Sequence, residues 1–270
     1  MPLNPWRIRR ARRARHTASR DLRRSRLRIR SFLLRHTIAY EGKPWTKAYR
    51  VWLARQTFEH RTQQIAFQSL VNAMEQAASR LSELDAQIVE TLPEWPLAKV
   101  VTALQSLRGV ATVTAATIVA EIGSMASFSS PRHLMAFLGL TPGEHSSGGT
   151  IRRRGITSAG DTLVRTSLVE AAWHCRQPAK VGPRKVTGVA DASPQWARDI
   201  AWKAQVRLTA RYRKLVAKGK LPQVAVTAVA RELVGFIWSI ARRIDDPGAR
   251  ALSDGPEHQS ARVDGEPALA

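Results

Sequence analysis

Two adjacent serines, Ser146 and Ser147, lie in the run GLTPGEHSSGGTIRRRG, which extends from Gly139 to Gly155. A serine hydroxyl is a weak nucleophile and needs a base, a metal or cationic surroundings to act. His145 immediately precedes the pair, Gly148 and Gly149 follow it, and Arg152, Arg153 and Arg154 come shortly after. Glycines let a phosphate approach the backbone, and guanidiniums steady charge that builds on a phosphoryl group. The run therefore suits a site that attacks or grips phosphate. Each part also has a plainer use. The serines could form a turn or a cap, the glycines an ordinary turn, and the arginines a backbone contact to DNA or RNA. Glu144 and His145 invite an acid–base reading, though a surface histidine is more often incidental.

The whole chain leans the same way. Its formal charge is +22 over 270 residues, and its isoelectric point is about 11.5. Such a chain favours a polyanion, because each neutralised phosphate releases counterions. Nucleic acid leads, and an anionic membrane surface is the weaker alternative. Cys175 is the only cysteine, so no intrachain disulfide can form, which suits a reducing compartment. Uninterrupted apolar runs fall short of a membrane span, and no signal peptide core follows the basic start. A cytoplasmic location and no membrane partner are expected.

Helices must position the serine run. Residues 1–35 hold thirteen arginines and one acid, Asp21. Residues 1–13 read as a disordered basic start. From about Ala14 to His36, Leu22, Ile29 and Leu33 recur at roughly heptad spacing, giving a long basic helix that could lie along a nucleic-acid backbone. After a break at YEGKP, Trp45, Tyr49 and Trp52 fall at helical spacing. They could stack on bases or anchor neighbouring helices. Phe67, Met74, Leu81 and Ile88 then recur every seven residues, with Leu70, Ala77 and Leu84 between them. This a/d pattern needs a partner, either the basic helix folded back as an antiparallel hairpin or a second copy of the chain. Pro93 and Pro96 close the unit. The expected domains are a coiled coil over 14–92, a second domain over 97–243 and a disordered tail over 244–270.

The second domain reads as helical throughout, with no convincing strand pattern. Leu97, Val100, Val101 and Leu104 make one face, LRGV turns the chain, and Thr114–Ile122 continues as a helix. This resembles a helix-hairpin-helix, with Arg108 and Gly109 at a phosphate-facing turn, although Ala111 stands where a second glycine is usual. Ser130 and Pro131 are N-cap and first-turn residues of a helix that points Leu134, Phe137 and Leu138 inward and ends at Gly139. Asp161–Arg176, Gln195–Lys218 and Gln223–Arg243 complete the set. In the second of these, Trp196, Ile200 and Leu208 face inward, while Lys203, Arg207, Arg211 and Arg213 face outward toward a nucleic acid. The fold class is all-α: a basic coiled-coil hairpin followed by a compact helical domain.

The chain resembles the C-terminal part of DEDD-type insertion-sequence transposases, relatives of the Piv and MooV DNA invertases and of bridge-RNA-guided recombinases. The resemblance is carried by FLLRH, KPWTKAYRVWL, LRGV, VAEIG, FSSPRHLMAFLGLTP, EHSSGG, VEAAWH, IAWKAQVRL and ARELVGFIWSIAR, in order from about residue 14 to 243. It implies a DNA partner, with a guide RNA as a further one, and a homo-oligomer through the coiled coil. It also implies a nucleophilic serine in the Ser-Ser-Gly-Gly run, with Ser147 favoured and Ser146 second. Family members carry their divalent metal, expected to be magnesium, on a RuvC-like domain that has no counterpart here. From the resemblance this chain is expected to hold no cofactor or metal ligand, and to be a truncated transposase inactive alone. The alternative is a catalytically silent DNA- or RNA-binding remnant.

Overall fold

The computed structural model describes residues 5–144, 153–180 and 193–245. These divide between Ala98 and Lys99 into two compact units.

The first unit is built on two long helices, α1 (Pro5–Arg35) and α3 (Arg61–Thr91), with the short α2 (Lys47–Ala54) between them. Arg15 pairs with Asp85, whereas at the other end the rings of Phe32 and Phe67 lie 5.8 Å apart. The helices therefore run antiparallel. Leu22, Ile29, Phe32 and Leu33 of α1 share a core with Phe67 and Met74 of α3, and Leu70, Ala77 and Leu81 pack on it. Of the two partners open to the heptads, the structure uses the chain's own basic helix. Long side chains on facing stripes remove apolar surface from water at about 25 cal/mol per Å², which offsets the repulsion among the arginines of α1. Helix α1 starts at Pro5, ahead of the expected start near residue 14. Proline suits a first turn, and Ile8 and Arg12 are already buried, so order extends through residues that look unstructured by charge alone. Leu92–Glu94 adds one 3₁₀ turn at the end of α3.

The second unit contains α4 (Ala98–Leu104), α5 (Thr112–Ile122), α6 (Pro131–Phe137), strands β1 (Pro142–Glu144) and β2 (Arg153–Ile156), then α7 (Thr162–Ala172), α8 (Gln195–Ala217) and α9 (Pro222–Asp245). The fold is predominantly helical, as expected. The antiparallel pair β1–β2 is the departure, with Pro142 opposite Ile156 and Glu144 opposite Arg153. Strands this short leave no readable alternation in the sequence.

Helix α9 is the core. It packs on α6, α7 and α8, and Val226, Val229, Leu233, Val234, Ile237 and Ile240 are buried along it. By length and composition α9 is apolar enough to cross a membrane. Its buried stripe and the charged Arg231 and Glu232 within it are the marks of a core helix. Ser130 caps α6, its hydroxyl accepting the His133 N–H at 3.3 Å. Leu134 and Leu138 point inward as expected, but Phe137 is 50% exposed and stacks edge-on against Phe128 instead. In α8 the inward seam is Ala197, Ala201, Ala204, Leu208 and Tyr212. Trp196 and Ile200, expected inward, are half-buried and flank that seam.

Candidate functional site

The serine run lies between the paired strand ends, Glu144 and Arg153. Ser146, Ser147, His145, Gly148, Gly149 and Arg152 are outside the described residues. Arg153 and Arg154 belong to β2. The structure therefore speaks to what carries the serines, namely the hairpin and its base.

That base is over-determined. Gly139 (φ +66) and Gly160 (φ +75) take left-handed backbone that disfavours side chains. A Cβ at Gly139 would overlap the Ala159 backbone, and one at Gly160 would overlap the Phe137 carbonyl. The two glycines let the chain leave α6 and return to α7 through the same narrow space. The Ser158 N–H donates to the Gly139 carbonyl at 3.1 Å, and the Thr157 N–H donates to the Thr141 carbonyl at 2.9 Å. Arg165, on α7, then clamps both legs. Its Nη1 donates to the carbonyls of Leu138 at 3.1 Å and Ala159 at 2.7 Å. Asp161 starts α7 by accepting the N–H groups of Leu163 and Val164, both at 2.8 Å.

Beside the hairpin, Leu140, Pro142 and Ile156 meet Val224, Thr227 and Arg231 of α9 around an open cavity of about 410 Å³. The cavity is apolar on its floor and has Arg231 among its lining residues. Sequence reasoning missed Arg165, Gly160 and Arg231. The Gly160–Asp161 pair, a turn glycine followed by an N-cap, was the available signal for a chain reversal just before α7.

The other expected contacts divide in two. Gly109 packs against the Ala171 backbone of α7, where a Cβ would not fit. Arg108 donates to the Pro178 carbonyl at 2.8 Å. Gly109 thus has a packing role whatever else the turn does, while α5 begins at Ala111 without a side-chain cap. On α8, Arg207 and Arg211 pair with Glu232 of α9, at 3.3 and 3.0 Å. Lys203 and Arg213 are exposed. The α8 surface therefore offers less free cation than its sequence suggests. Cys175 is buried, and burial pushes its thiol up to about 11, with Arg108 pulling the other way. A thiol in that state is a poor nucleophile at neutral pH.

Among the described residues no three of His, Cys, Asp and Glu converge as a metal-binding group would.

Residues 101–183 match the model of the transposase IS116/IS110/IS902 family. Over 231 residues the chain is 48% identical to "Putative transposase y4qE" of Sinorhizobium fredii, which covers 85% of this chain and 56% of that protein. Over 69 residues it is 39% identical to the transposase for insertion sequence element IS1111A of Coxiella burnetii, covering 26% of this chain and 19% of the other. Over 217 residues it is 27% identical to the transposase for insertion sequence element IS1533 of Leptospira borgpetersenii, covering 77% and 61%. The chain thus spans at most about three fifths of the length of these relatives.

Proposed function

Because residues 101–183 match the model of the transposase IS116/IS110/IS902 family, we propose that this chain is a member of it, binds DNA and contributes a serine nucleophile to strand exchange in insertion-sequence transposition. Ser147 is the favoured nucleophile and Ser146 the second choice. The hydroxyl oxygen attacks a DNA phosphodiester, a serine–phosphate bond forms, and the displaced sugar hydroxyl leaves with a proton. Reversal with a new strand hydroxyl completes the exchange.

The observation that carries this reading is the clamped hairpin. Catalytic groups must be held on rigid elements, because small misplacements cost large factors in rate. Here a glycine-locked, arginine-clamped base supports the segment that contains both serines. In the sequence Arg152, Arg153 and Arg154 follow the serines closely, and guanidiniums of that kind would steady charge on the phosphate. A serine needs further activation. The carboxylate-held metal implied by the family resemblance would come from groups other than the described residues. A guide RNA and self-association belong to the same proposal. Within the first unit α1 already occupies the heptad seam of α3, so a second copy would have to use another surface.

The test is a covalent protein–DNA adduct that survives a denaturing gel, formed with divalent metal and element-end DNA. It is expected to require Ser147 and to vanish in Ser147→Ala, with Ser146→Ala retaining it. If no adduct forms alone but one forms when a RuvC-like domain is added, the serine role stands with its activating groups supplied in trans. Salt-sensitive binding unchanged in Ser147→Ala, with no adduct under either condition, would instead mark a binding module.

A further inference from the structure

The first unit holds a cavity of about 570 Å³ between the end of α1, the segment after it and α2. That volume suits a small ligand or one part of a larger one. One part of its wall is aromatic, formed by Tyr40, Tyr49 and Trp52. Tyr40 lies 5.0 Å from Tyr49 and 4.9 Å from Trp52, ring centre to ring centre. The Tyr40 ring sits directly over Gly42, where a Cβ would come within 2.7 Å of it. Leu34, at the rim, is 75% exposed, and Leu27 is 52% exposed.

Positive charge lies beside these rings. Arg30 lines the cavity. Trp45 adopts φ +66, an unusual state for a bulky residue and one that clusters at ligand sites. Its ring packs on Tyr49 at 4.8 Å and carries the Arg26 guanidinium 5.1 Å from its centre. Arg26 has a buried Nε with no hydrogen-bond partner. Burial first, and then the charge of Arg50, lower its pKa from the ordinary range. Among the described residues, Arg26, Arg30 and Arg50 have no carboxylate at ion-pair distance, unlike Arg15, which pairs with Asp85, and Arg24, which lies near Asp21.

Aromatic faces beside uncompensated guanidiniums match a base that carries a phosphate. An apolar partner helix would cover Leu27 and Leu34 but leave Arg26 and Arg50 repelling each other. A duplex would neutralise the arginines but could not place a base in the cavity. We propose that this cavity takes an unpaired base of single-stranded DNA, stacked on the Tyr40–Trp52 wall, with its phosphate against Arg30 and Arg26. The proposal rests on the DNA-binding reading above and adds a second, single-strand site remote in sequence from the serine hairpin.

The test is fluorescence anisotropy with the full chain at fixed salt. Four fluorescein-labelled probes of equal length are compared: oligothymidylate, an abasic backbone, a duplex, and the RNA counterpart of the first. Oligothymidylate is expected to bind about tenfold tighter than the abasic strand, the scale of one base–aromatic stack. Trp52→Leu and Gly42→Val are expected to abolish that difference while leaving duplex binding unchanged, with circular dichroism checking the fold. Arg30 is exposed, so Arg30→Gln serves as a variant that keeps the fold. It is expected to weaken single-strand binding more than duplex binding. Equal affinity for the base-bearing and abasic strands overturns the proposal, as does an equal effect of Arg30→Gln on both forms. RNA bound tenfold tighter than DNA overturns the assignment to DNA. Duplex binding without any base dependence removes only this site, whereas binding of no probe removes the DNA-binding reading as well.

Discussion

Arg165 reaches back from the first turn of α7 to the Leu138 carbonyl, 27 residues earlier, while the same Nη1 holds the Ala159 carbonyl six residues earlier. One guanidinium thus joins the outgoing and returning legs of the hairpin that carries the serines. A charged donor shared by two carbonyls is stronger than a neutral bond, and its loss would leave both acceptors short of partners.

Arg165→Met keeps the length of the side chain and removes the clamp. It is expected to cost about 2 kcal/mol of stability, by analogy with hydrogen bonds to charged groups, and to reduce adduct formation more than DNA binding. Denaturant unfolding and a gel assay measure the two effects. A loss of stability with full adduct yield would separate the clamp from the chemistry.

Gly139→Ala and Gly160→Ala should each be more damaging than Gly123→Ala. All three glycines have positive φ. Only the first two also meet backbone where the methyl group would go, whereas Gly123 has open space. About 1–3 kcal/mol is expected at Gly123 from conformation alone, and more at the other two, where the methyl group also meets backbone. Melting temperatures of the three variants give the order.

Glu232→Gln should strengthen DNA binding. The carboxylate now holds Arg207 and Arg211, and partly exposed pairs of this kind contribute little to stability, about 1 kcal/mol or less. Freed, the two guanidiniums can reach phosphates. The slope of log affinity against log salt should steepen by up to about 2, at roughly 0.9 per added phosphate contact. An unchanged slope would mean that α8 lies off the DNA.

Cys175 gives a pH signature. Its folded pKa is raised to about 11 from an ordinary 9.0, so the folded state keeps the proton longer than the unfolded chain does. The stability from burying the neutral thiol is fully present below pH 9. It is lost as pH rises from about 9 to 11, at up to about 1.4 kcal/mol per pH unit. Cys175→Ala should flatten that part of the stability profile. In the native protein the thiol should resist alkylation at pH 8 and react once the chain is unfolded.

Much of the helical frame was legible from residue patterns. The heptads of α3, the apolar stripe of α9 and the Ser130–Pro131 start of α6 are local signals, because side-chain period and capping chemistry are written within a few residues. The serine run could be singled out by composition, and the resemblance to a transposase family came from ordered motifs spread along the chain. Tertiary packing decided the rest. The chain's own α1 was chosen as partner for α3, since heptads specify a seam but not whose helix fills it. Glu232 claimed two arginines that read as free, because the approach of α9 to α8 is not encoded in α8. The hairpin beneath the serines was hidden because strands of three and four residues carry no period. Their stability comes instead from Gly139, Gly160 and Arg165, whose contacts exist only once α6 and α7 are side by side.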